Sequence, residues 1–91
     1  MPTSESAKKR ARQNKKRRKR NKNTKSHVRT TLRRFEEAIE QEDVDLAKER
    51  LRKAESAWDR AASKGVVPKK RASRRVGRMK RELSKLEDEL S

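Results

Sequence analysis

From Met1 to His27 the apolar side chains, Pro2 aside, are only those of Met1, Ala7 and Ala11. Ordering each residue costs about 1–2 kcal/mol of backbone entropy, and here almost no apolar burial offsets it. Residues 8–25, "KKRARQNKKRRKRNKNTK", instead carry twelve Lys or Arg in eighteen positions. This stretch cannot belong to a core. Its order has to come from a partner, or from a helix that it leads into.

The rest of the chain reads as helix three times. Val28, Leu32, Phe35 and Ile39 recur at helical spacing. So do Ala47, Leu51, Ala54, Trp58 and Ala61, and then Ala72, Val76, Met79, Leu83, Leu86 and Leu90. No stretch alternates with the period of a strand. In "QEDVD", Asp43 suits an N-cap and Asp45 a first turn. In "KGVVP", Gly65 suits a left-handed C-terminal position and Pro68 a first turn. These signals predict helices near 4–41, 44–64 and 68–89. Short connections favour antiparallel neighbours. The expected fold is therefore all-α, a three-helix up-down-up bundle with a long basic N-terminal helix projecting beyond it. Residues 1–91 form a single domain in this reading, with a basic arm (1–27) continuous with the first helix and a bundle (28–91). With hydrophobic residues at 27%, the core is thin and the free protein is expected to be marginal. Trp58 and Phe35 lie on the stripes and are read as core. Gly77 is either a point of close backbone approach or simply tolerated.

Charge is unevenly placed along the chain. The formal net charge is +16, with +14 in residues 1–35, −3 in residues 36–64 and +5 in residues 65–91. Such segregation points to a binding face for a polyanion. Lys8/Arg12, Arg12/Lys16, Lys15/Lys19, Lys16/Arg20 and Arg18/Lys22 are like-charge i,i+4 pairs, each costing about 0.2–0.5 kcal/mol in an isolated helix. Phosphates between them reverse that sign, and released counterions add to binding. At 100° per residue the charges surround the helix, which suits a crevice between nucleic-acid helices. A membrane surface would demand an apolar face, and the rod has none.

The basic start and acidic end of the third helix both oppose its dipole, an arrangement that a phosphate at the helix start relieves. The middle segment is expected to touch the polyanion little, with Glu49, Glu55 or Asp59 turned away. Antiparallel packing is expected to bring the start of the third helix beside Asn21–Arg29. Candidate contacts in the arm are Lys8, Lys9, Arg10, Arg12, Asn14, Lys16, Arg17, Arg18, Arg20, Asn21, Lys25 and Arg29. In the third helix they are Lys69, Lys70, Arg71, Arg74, Arg75 and Arg78.

Other readings are weaker. A disordered tail or localisation signal is the usual meaning of a basic run, but this run feeds into a helix without a breaker. A leucine-zipper basic region would use the spacing of Asn21 and Arg29, yet no leucine repeat follows and Asp43 interrupts the helix. His27 has no partner at metal or catalytic spacing and reads as a surface residue or phosphate contact. The absence of Cys excludes disulfides and cysteine zinc sites. There is no signal-peptide pattern and no membrane-length apolar run. No catalytic constellation or Gly-rich phosphate loop is visible, so neither an enzyme nor a cofactor, metal or small-molecule substrate is expected, nor is homo-oligomerisation. A DNA-compacting nucleoid-type protein is the alternative, although such tails are usually Lys, Ala and Pro repeats.

"SAKKRARQNKKRRKRN" followed by "KSHVRTTLRRFEEAI" resembles the N-terminal helix of the bacterial small-subunit ribosomal protein twenty family. The matching positions are Ser6, Ala7, Lys9, Arg10, Gln13, Lys16, Arg17, Arg18, Asn21, Ser26, Arg29 and Thr30. "AESAWDRAASKGVVPKKRASRR" resembles the family's glycine turn and the basic start of its last helix, through Asp59, Arg60, Lys64, Gly65, Lys69, Ala72 and Arg74. Where the family commonly has His, Lys and Asn after the turn, this chain has Pro68, Lys69 and Lys70, which keeps the positive charge for phosphate. The resemblance implies a three-helix, cytoplasmic protein of the small ribosomal subunit that binds its ribosomal RNA (16S) directly and early in assembly. It also adds Gln13, Ser26 and Thr30 to the candidate contacts.

Overall fold

A computed structural model describes residues 5–91; the predicted helix start at residue 4 lies outside them. Three helices follow one another: α1 (Glu5–Glu40), α2 (Val44–Ser63) and α3 (Lys69–Leu90). Two similar devices turn the chain between them. At the end of α1, the Glu42 N–H donates to the Ile39 carbonyl at 3.0 Å and the Asp43 N–H to the Ala38 carbonyl at 3.1 Å. At the end of α2, the Gly65 and Val66 N–H groups do the same to the Ala62 and Ala61 carbonyls at 3.0 and 2.9 Å. This double bond is the Schellman pattern, which needs a left-handed residue. Gly65 supplies it at φ 74°, as its sequence context predicts, while Glu42 takes φ 56°. That strain in a non-glycine residue costs about 1–2 kcal/mol and was not expected from the sequence.

Asp43 closes one helix and opens the next. Its carboxylate accepts the Leu46 N–H at 3.1 Å, as predicted for an N-cap. Pro68 differs from expectation. It is the N-cap of α3, extended at ψ 141°, and not a first-turn residue. Val67 just before it is only 7% exposed, so the connection places that side chain in the core before α3 begins.

The helices run antiparallel. The Arg50 Nη1 of α2 donates to the Arg34 carbonyl of α1 at 2.7 Å, and Lys80 of α3 lies 3.1 Å from Glu55 of α2. At about 1.5 Å per residue, this register sets the start of α3 level with the stretch of α1 around Asn21. α2 packs along both of its neighbours, whereas α3 touches α1 only sparsely. The core joins Val28, Phe35, Trp58, Val76, Met79 and Leu83 with six buried alanines, which let the helices approach closely but remove little apolar area from water. Ala57 and Val67 join this core without lying on the predicted stripes, and Leu90 leaves it at 50% exposed. The Lys48–Glu87 pair explains the last case: it brings Leu90 level with the first turn of α2, where nothing remains to cover it. The Trp58 indole N–H is buried without a partner among the described residues, a cost of about 1–3 kcal/mol.

Gly77 settles one alternative within the chain itself, since a Cβ built there meets no atom within 4 Å. No backbone among the described residues needs the space. Gly77→Ala should therefore stabilise the free protein by about 1 kcal/mol, the helix-propensity difference. Gly65→Ala, at a left-handed position, should destabilise it by at least about 1 kcal/mol. Thermal melts followed by circular dichroism should show opposite shifts.

Candidate nucleic-acid interface

α1 is 36 residues long, far longer than its partners can cover. Every residue from Glu5 to Asn23 is exposed, Thr24 is the first to be partly covered, and Val28 is the first buried. Residues 5–20 lie beyond the bundle and project about 24 Å at 1.5 Å per residue. This extension gives the molecule its dimensions of 70 × 22 × 13 Å. Its radius of gyration is 18.2 Å, against about 12 Å for a compact chain of this length.

The arm presents two shallow basic concavities. Lys8, Lys9, Arg12, Gln13 and Lys16 line one, together with Glu5. Arg18, Asn21, Lys22, Lys25, Ser26 and Arg29 line the other. From the helical repeat their centres lie about 140° apart around the axis, so anions can be held on two sides of the rod. Arg10 and Arg17 are exposed on the remaining face, while Asn14 lies on the side of the second set and Arg20 on that of the first. Thr30 is different: its hydroxyl donates to the Ser26 carbonyl at 2.9 Å, which leaves it an acceptor until it rotates.

On α3, Lys70, Arg71, Arg74, Arg75 and Arg78 share a third concavity with Pro68. Arg78 also pairs with Glu82 at 3.5 Å, in the exposed class of ion pairs worth about 0–1 kcal/mol. Lys69 stands apart from this set, in a separate depression with Asp59 and Ser73. Among the described residues no side chain caps the first turn of α3, so its N–H groups stay open to an acceptor. The α1 and α3 sets sit at a similar height along the bundle. The α1 concavities and the α3 concavity share no lining residue, and α3 touches α1 only sparsely.

The sequence reading missed one concavity. Between α1 and α2 lies a groove of about 240 Å³ lined by His27, Thr31, Arg34, Arg50, Lys53, Ser56, Ala57 and Arg60. Its signal was present: Arg50, Lys53, Ala57 and Arg60 recur at helical spacing on a face of α2 adjacent to the core stripe. Among the described residues no group of His, Cys, Asp and Glu could hold a metal ion, and no helix is long and apolar enough to cross a membrane.

Comparison with known proteins bears on what such a rod contacts. A family model described as ribosomal protein S20 matches residues 2–84. The chain is similar to the small ribosomal subunit protein bS20 of Natranaerobius thermophilus, at 41% identity over 87% of this chain and 90% of that protein. It is 43% identical to the bS20 of Rhodopirellula baltica over 87% and 88% of the two chains. With the bS20 of Psychrobacter arcticus it shares 41% identity over 96% and 99%.

The like-charge pairs of the arm oppose its helix until anions screen them. Circular dichroism of the free protein at low salt should therefore show less helix than the three elements contain, rising when RNA is added. Full helicity that RNA leaves unchanged would show that the arm needs no phosphate.

Proposed function

The chain belongs to the ribosomal protein S20 family, and from that premise we propose that its basic rod binds small-subunit ribosomal RNA directly. In this reading the protein acts as a structural component of the small ribosomal subunit in the cytoplasm, and not as an enzyme. Residues 1–27 are the RNA-binding arm, and residues 28–91 are the bundle that holds it, together one domain. The observation that carries the proposal is the projecting segment 5–20, exposed on every face and basic on every face.

Two RNA helices brought together repel through their phosphates, and a rod charged all round neutralises both at once. Lys8, Lys9, Arg12 and Lys16 face one strand system, and Arg18, Lys25 and Arg29 face another. Arg71, Arg74, Arg75 and Arg78 hold a further segment at the start of α3, with Lys69 and Lys70 beside the open N–H groups. Asn14, Asn21, Gln13 and Ser26 can bond sugar and phosphate oxygens without adding charge. Such contacts position RNA by shape and backbone. The relatives described above are small-subunit proteins, and they lend nothing to the DNA-compacting alternative.

Removing residues 1–20 takes away ten basic side chains and no buried residue among those described. The logarithm of affinity for 16S ribosomal RNA falls by about 0.7–0.9 per neutralised phosphate for each decade of salt. Filter binding across a salt series should therefore show a much flatter slope for the shortened chain, with the bundle still helical. An unchanged slope would place the RNA contacts elsewhere.

A further inference from the structure

The segment around α2 has a net charge of −3 over residues 36–64, which suggests a helix that RNA avoids. The structure sorts that charge by face. Glu55 of α2 pairs with Lys80 of α3 at 3.1 Å, and Asp59 opens toward Lys69 and Ser73. On the opposite flank, Arg50, Lys53 and Arg60 meet Arg34 and His27 of α1 around the groove, and no carboxylate is among its lining residues. Glu37 and Glu49 stand outside it, 3.8 Å from Arg50 and 3.4 Å from Lys53. Arg34 and Arg60 make no ion pair among the described residues.

Arg50 shows that the arrangement is built. Its side chain is 27% exposed and crosses from α2 to donate to the Arg34 carbonyl at 2.7 Å. A guanidinium has five N–H donors, so most remain free to face the groove. At about 240 Å³ the space is smaller than the ~300–1,000 Å³ usual for an enclosed small-molecule site. It also continues a stripe on the arm. From the 3.6-residue repeat, Lys9, Lys16, Arg20, His27 and Arg34 fall within about 40° of one another around α1. A polyanion following that face of the rod is led into the groove.

We propose that the α1–α2 groove is a second RNA-backbone site, in which Arg34, Arg50, Lys53 and Arg60 hold phosphodiester oxygens of the strand that tracks the arm. The proposal rests on the ribosomal RNA reading above and adds α2 to the surface that RNA touches. Its acidic flank then faces α3 and its basic flank faces RNA, so the helix serves both neighbours despite its net negative charge.

The full chain tests this, because it has no cysteine and accepts a single tethered probe. Ser56→Cys places iron-EDTA in the groove without removing a charge, and Ser84→Cys places it on an exposed site of α3. Bound to 16S ribosomal RNA, the position-56 probe should cut a strand that the position-84 probe leaves intact. In parallel, Arg34→Ala with Arg60→Ala should lower the salt slope by about two, one for each phosphate left without its arginine. The charge-matched control Lys48→Ala with Arg52→Ala should leave it near that of the unaltered chain. Circular dichroism checks that both double variants remain helical, as expected for exposed positions. Cutting from position 56 no stronger than from position 84, or equal slopes for the two doubles, overturns the proposal. Cutting absent from RNA in whole subunits as well overturns it equally. Failure of the unaltered chain to bind 16S ribosomal RNA would instead strike the arm reading on which this one rests.

Discussion

Starting a helix is the expensive step, since the first turn fixes several residues for a single hydrogen bond, while each later residue adds one bond of its own. In this protein the segment from Val28 to Ile39 of α1 carries the packing that offsets that cost. Val28, Phe35 and Ala38 are buried there against α2, and the packing holds helical geometry in place. The arm has only to propagate from that anchor toward Glu5, against its own charge. A rod with no core of its own thus takes its shape from a bundle at one end. Everything the arm can do depends on this seam of small and apolar side chains.

The seam also constrains where charge can go. Core residues occupy one face of α2, which leaves two flanks, each beside a different helix. Glu55 and Asp59 settle beside α3, where Lys80 meets Glu55 at 3.1 Å, and Arg50, Lys53 and Arg60 settle beside α1. Surface pairs of this kind add little stability, about 0–1 kcal/mol each. Their effect is to orient the field. Positive potential gathers along the arm, the α1–α2 groove and the start of α3, while Glu82, Glu87, Asp88 and Glu89 occupy the far end. A polyanion approaching this molecule meets a directed field, not an average one.

Much of this was legible in the sequence because it depends on local periodicity and caps. The three stripes, Asp43 as N-cap and Gly65 as a left-handed residue all follow from neighbours within a few positions. Glu42 was not legible, because its left-handed conformation is imposed by the short path from Ala38 to the cap at Asp43. Pro68 was misplaced by one position for a tertiary reason, the burial of Val67. Leu90 continues its stripe in sequence, but whether a stripe is covered depends on where the partner helix begins. The interface divides the same way. The basic arm is visible in composition alone, whereas the sorting of α2 into two flanks depends on which neighbour each flank faces. The separation of Lys69 from Lys70 and Arg71 is also a matter of which side of the helix start each takes.

The sparse packing between α1 and α3 has a kinetic consequence. Nearly all tertiary packing joins helices adjacent in sequence, α1 with α2 and α2 with α3. No long loop must close before stabilising contacts form, and helical folds with such local contacts form in about microseconds to milliseconds. The Arg50–Arg34 bond joins α1 to α2 directly, so this part of the packing waits for no contact between α1 and α3. The arm leaves the ribosome first and its anchor forms next. Once the chain is released, the platform for seizing RNA assembles in a time short against the seconds that synthesis takes at about 5–20 residues per second.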